Sequence, residues 1–162
     1  MYRQLLRLTL CAFVFIHSSV FASPGDKAQI DKILQADNAP FGVVFEVIES
    51  SADELDWIFP RIKSYAEILR KRFPDIGIAV VSHGKEEFGL LKASQNKRKN
   101  VHKLVKSLVE DKNIAVHVCG THASWYDKKP EDFPDYINVS PAGPTEIENY
   151  QDMGYTLVVI HK

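Results

Sequence analysis

Phe41-Gly-Val-Val-Phe-Glu-Val-Ile48 is a mostly apolar run of strand length, rich in β-branched residues. Such a run fits a strand covered on both faces, because a half-exposed strand would alternate polar and apolar positions. The signature returns at Ile76-Gly-Ile-Ala-Val-Val-Ser82, Ile114-Ala-Val-His-Val-Cys119 and Tyr155-Thr-Leu-Val-Val-Ile160, with a shorter run, Tyr136-Ile-Asn-Val139, before the last. Between the strands the period changes to that of a helix. Leu55, Ile58, Phe59, Ile62, Ala66, Leu69 and Phe73 fall on one stripe, interrupted by Pro60, which predicts a helix starting near Pro60 or kinked there. Leu90 and Leu91 face inward from a short helical segment after His83-Gly84, and Val101, Leu104, Val105 and Leu108 mark an amphipathic helix. Gly143-Pro144 opens a last helix, and Gly154 stands where its C-cap is expected. Strand alternates with helix throughout. The expectation is an α/β fold: a three-layer sandwich around a mainly parallel five-stranded sheet, with flavodoxin-like strand–helix alternation.

The ends of this pattern divide the chain. Residues 1–22 carry Arg3 and Arg7, then the apolar run Leu8 to Ile16, then Val20-Phe21-Ala22 before Ser23, which is the layout of a cleaved signal peptide. The apolar run is about half of the roughly 20 residues that a membrane span needs, so no stable span is expected after cleavage. Residues 23–40 read as a polar lead-in with Ile30, Ile33 and Leu34 spaced to dock one helical turn, and 41–162 as a single domain. Subtracting the 22-residue leader from 162 leaves 140 residues, the size of one ordinary domain, with 18 basic against 21 acidic side chains. An acidic balance argues against a nucleic-acid-binding protein. Cys11 departs with the leader, so Cys119 enters an oxidising periplasm with no internal disulfide partner.

Chemistry in open α/β sheets collects beyond the carboxyl ends of the strands. Three segments finish there: Ser82-His83-Gly84, Cys119-Gly120-Thr121-His122 and Ser140-Pro141-Ala142-Gly143. A thiol at a strand end can meet backbone N–H groups that stabilise a thiolate, as would a nearby imidazolium from His83 or His122. Gly84, Gly120, Thr121 and Gly143 are the expected lining for an anion. The bland alternative is a packed, inert cysteine. His117, Cys119 and His122 also form an H-x-C-x-x-H cluster whose first two members share a strand face, a second reading as a zinc or copper site. Lys97-Arg98-Lys99 with Lys103 and Lys106 reads as the solvated edge of a helix, Glu86-Glu87 as a helix first turn, and Trp125, Tyr126 and Phe133 as caps on the core. No phosphate loop, dinucleotide fingerprint, nucleophile elbow or H-E-x-x-H motif is present, and no cofactor is expected.

From about Gly42 to Ile160 the ordered motifs resemble the DsrE/DsrF-like (YchN-like) proteins of sulfur relay and sulfur metabolism. The resemblance rests on the Val-Val-Phe strand, on Val-Val-Ser-His-Gly84 before Leu90-Leu91, on Val116-His-Val-Cys-Gly120, on Val139-Ser-Pro-Ala-Gly143 and on Gln151-Asp-Met-Gly-Tyr155. It implies an α/β sandwich assembled as a homotrimer or hexamer. It also implies a cysteine, here Cys119, that carries sulfur as a persulfide between donor and acceptor proteins or small persulfides. Gly-Thr-His-Ala-Ser-Trp follows Cys119 in place of the relay branch's Ala- and Arg-containing helix start, which is similar to the non-relay branch of the family.

Overall fold

The computed structural model describes residues 25–160 and 162; the leader expected over residues 1–22, Cys11 included, lies outside them. Five strands, β1 (Gly42–Val47), β2 (Gly77–Ser82), β3 (Ala115–Cys119), β4 (Asn138–Ser140) and β5 (Tyr155–Val159), form one sheet in the order β4-β3-β2-β1-β5. Every neighbouring pair is parallel. The helices α1 (Asp26–Leu34), α2 (Leu55–Arg72), α3 (Lys99–Glu110), α4 (Gly120–Ser124) and α5 (Gly143–Asp152) lie between or before the strands. This is the α/β sandwich that the alternation of periods predicts.

The two faces are unequal. Val43, Phe45, Ile78, Val80, Val116 and Val118 point to the face that Ile30, Ile58, Ile62, Leu69 and Val105 of α1, α2 and α3 cover, and Ala123 of α4 joins the same core. Val44, Ala79 and Val81 point the other way and meet Ile147 of α5, with Tyr150, Tyr155 and Leu157 around them. One helix therefore closes a face that three close opposite. The β3 connection leaves toward the crowded face and the β4 connection toward the sparse one. Adjacent strands whose following helices part in this way open a crevice at their carboxyl ends, and the residues that pair there are Cys119 and Ser140.

α2 begins at Leu55 rather than at Pro60, and runs through the proline. Pro60 removes the N–H that would bond the Asp56 carbonyl. Leu55, Ile58 and Phe59 are nonetheless fully buried, and at about 2 kcal/mol for each such side chain their burial outweighs one lost hydrogen bond. Gly154 has φ +86° after α5, the left-handed conformation that a helix-ending glycine supplies.

Arg98 departs from the solvated basic edge read from the sequence. Only 7% of it is exposed, and its guanidinium pairs with Asp53 and with Asp56, the latter at 3.4 Å. A guanidinium that must leave water needs such partners. Among the described residues no helix is long and apolar enough to cross a membrane.

Candidate functional site

Cys119 is the last residue of β3 and the N-cap of α4. The chain turns at Gly120, where a Cβ would sit 3.0 Å from the Ser140 carbonyl oxygen, so the strand end and the β4 loop approach closely. The turn brings the His122 backbone N–H to the sulfur, donating to Sγ at 3.3 Å. Cys119 is 5% exposed and carries a free thiol. From the opposite side Gly143, at the start of α5, leaves room for both Cys119 and His83. A Cβ on Gly143 would lie 2.6 Å from His83 Cβ and 3.4 Å from Cys119 Cβ. Gly143→Ala is expected to push α5 away from the crevice, costing about 2 kcal/mol by overpacking. Chemical denaturation reads the loss, and faster alkylation of Cys119 reports the opened crevice.

The two imidazoles expected to favour a thiolate are turned to carboxylates instead. His83 Nε2 lies 2.9 Å from Glu46 Oε1. His122 Nδ1 lies 2.9 Å from Glu87 Oε1, so His122 serves the sulfur through its amide and not through its ring. The anion lining is also largely committed. Gly84 N–H donates to Glu86 Oε1 at 3.0 Å, and Thr121 sends both its N–H and its hydroxyl to the Pro141 carbonyl, at 3.0 and 2.7 Å. Gly120 and Gly143 pack closely, the first against the Ser140 carbonyl and the second against His83 and Cys119.

His117, Cys119 and His122 do not form a metal centre. His117 Nδ1 bonds the Ser140 hydroxyl at 2.8 Å and its Nε2 the Tyr150 hydroxyl at 2.9 Å, beneath α5. His122 belongs to Glu87. Among the described residues no group of three or more His, Cys, Asp or Glu side chains is arranged to hold a metal ion. Burial lowers the His117 imidazole, with Glu146 opposing, and burial pushes the Tyr150 phenol up to about 12, as suits a neutral network under a helix.

Glu86 and Glu87 stand in a helical first turn, as their sequence suggests, but their burial and their partners are not visible in it. Both lie in the 3₁₀ turn Lys85–Leu90 after β2, and neither has any exposed surface. Glu86 accepts three hydrogen bonds: from Ser82 Oγ at 2.6 Å, from Gly84 N–H at 3.0 Å and from Glu49 N–H at 2.6 Å. It ties the β2 loop to the chain leaving β1. Glu87 reaches the cysteine. Its Oε2 accepts the Cys119 N–H at 3.0 Å while Oε1 meets the His122 ring. Burial pushes the Glu87 carboxyl up to about 8; the Cys119 N–H works against this and the neighbouring Glu86 adds to it. Burial likewise lowers the His122 imidazole.

Aromatic rings bracket His122. Phe88 stacks on it with centroids 5.3 Å apart, and Tyr126 and Trp125 meet it edge-on at 5.3 and 5.6 Å. Phe133 caps the core as expected, whereas Trp125 is 72% exposed and Tyr126 is also exposed.

No family model matches the sequence, and no curated protein does. Solved structures are similar. One is a protein of unknown function from Methanobacterium thermoautotrophicum, at 16% identity and a TM-score of 0.56, covering 72% of this chain and 96% of that one. Another is a conserved protein of unknown function from Bacteroides thetaiotaomicron, at 14% identity and a TM-score of 0.51, covering 72% of this chain and 94% of that one. These likenesses show the fold, the α/β sandwich implied by the resemblance to the DsrE/DsrF-like proteins.

Proposed function

We propose that this chain is an exported, cysteine-based sulfur carrier that works through a persulfide on Cys119. The observation that carries the reading is the Cys119 sulfur receiving the His122 N–H at the end of β3, in the crevice where β3 and β4 send their connections to opposite faces. A fixed donor on sulfur favours the anionic forms, thiolate and persulfide, that move sulfur. The step is redox-neutral. The Cys119 thiolate attacks the outer sulfur of a donor persulfide, R–S–SH; a new S–S bond forms, the donor's S–S bond breaks, and R–S⁻ leaves. Transfer to an acceptor thiolate is the same exchange in reverse. Donor and acceptor are small persulfides or partner proteins, and the carrier is a homotrimer or hexamer in the periplasm.

Incubation with inorganic polysulfide followed by intact mass measurement is the test. The expected product is heavier by one sulfur atom, roughly 32 Da, and is absent in Cys119→Ala. No adduct, or one that persists in the variant, overturns the proposal.

A further inference from the structure

We propose that Glu87 is the electrostatic gate of Cys119: its carboxyl, clamped between the Cys119 N–H and the His122 ring, must hold a proton before a thiolate or persulfide anion forms on that cysteine. The inference rests on Cys119 being the reactive thiol, and it adds a control over that thiol by a residue which does not itself touch sulfur. Three observations meet here. Glu87 has no exposed surface, so water cannot screen its charge. Both its oxygens are occupied, Oε2 by the amide of Cys119 itself at 3.0 Å and Oε1 by His122 Nδ1 at 2.9 Å. Among the described residues its only ion-pair partner is that imidazole, with no lysine or arginine on the carboxyl.

The groups facing the pair come from every neighbouring element. Glu86 and Lys85 share its turn, His83 stands at the end of β2, Cys119 at the end of β3, and His122 on α4 with Tyr126 just beyond it. Burial raises the Glu87 carboxyl to about 8, and the neighbouring Glu86 adds to the rise. At neutral pH Glu87 therefore donates its proton to His122 Nδ1, which places the ring hydrogen on Nε2 and leaves the pair uncharged. Above that range Glu87 becomes an anion beneath the Cys119 amide, and a second anion on the same residue's sulfur is disfavoured. The gate opens by protonation and closes by ionisation.

Glutamine is a close copy of the protonated state. Its carbonyl can accept the Cys119 N–H and its NH₂ can donate to His122 Nδ1, with no charge at any pH. In the full chain, Cys119 alkylation by iodoacetamide is followed by peptide mass across pH 6 to 10, which separates it from Cys11. The wild-type rate is expected to flatten near pH 8. In Glu87→Gln it rises without the break: it is roughly twofold faster at pH 8, where half of the wild-type carboxyls still hold their proton, and approaches roughly tenfold by pH 9. Superimposable profiles overturn the gate. A second measurement needs no variant: the side-chain ¹³C carboxyl shift of Glu87 in the wild type. It is expected to keep the protonated value at pH 6 and to change near pH 8 together with the His122 ring nitrogens; a carboxylate value already at pH 6 overturns the inference. Neither measurement contains sulfane sulfur, so a failed polysulfide adduct with a confirmed gate separates the two proposals.

Discussion

Glu86→Ala loses about 4 kcal/mol of stability, measured by denaturant unfolding at neutral pH. The side chain is fully buried and accepts from Ser82 Oγ, Gly84 N–H and Glu49 N–H, three donors with no second acceptor among the hydrogen bonds of the described residues. Each orphaned donor in a dry site costs about 1–3 kcal/mol, and the cavity adds to the sum. The bond from Glu49 N–H matters most, because it fastens the turn after β2 to the chain leaving β1, and Glu87 rides on that turn. Glu86→Gln is milder, at about 2 kcal/mol. Its one oxygen can serve Ser82 and Gly84, while its NH₂ faces the Glu49 N–H and repels it. A loss below about 1 kcal/mol in Glu86→Ala would mean that the turn is held by something other than this carboxylate.

Glu86 and Glu87 also mark where sequence reading stops. The strands are legible because Val43 to Phe45 and Ile78 to Val81 are buried on both faces, a property that appears directly as consecutive apolar residues. Helices α3 and α5 were legible from their apolar spacing and from Pro144 and Gly154. Cys119 was legible as the end of a strand. Two adjacent carboxylates after Lys85 carry no such signal. Locally they read as a helix first turn, which they are, and only the folding of that turn back across the sheet's carboxyl edge puts them inside. The same limit explains Arg98, whose partners Asp53 and Asp56 are more than 40 residues away in the chain. It also explains the failed metal cluster. His117 and Cys119 do share the α5 side of β3, but Ser140 and Tyr150 take the first histidine, and Glu87, invisible as a partner in the sequence, takes His122. Spacing set the direction of these side chains; long-range packing chose their partners.

Glu87→Gln is expected to make the protein more stable, by an amount that grows with pH. In the unfolded chain this carboxyl titrates near 4.5, and in the folded protein burial raises it to about 8. Between those values the folded state keeps a proton that the unfolded state has released, so stability falls as pH rises. Its contribution is complete below about 4.5, is lost progressively toward 8 and changes no further above that. The loss is on the order of 4 kcal/mol, and glutamine does not incur it. Burial lowers His102, His117 and His122 from 6.5. These groups act in the opposite sense, because their unfolded imidazoles take up protons below about 6.5 while the folded ones resist. His102 and His117 are common to both proteins and cancel in the difference, so the comparison isolates Glu87 with its partner His122. The expected result is a Tm for Glu87→Gln roughly 8 °C above wild type at pH 8, with the gap closing by pH 4.5. Equal Tm values at pH 8, or a more stable wild type there, would show that the carboxyl is ionised and stabilised within the fold. The experiment requires no reactivity at Cys119. It asks only whether the fold holds a proton beside that residue at neutral pH, which is the condition on which the gate depends.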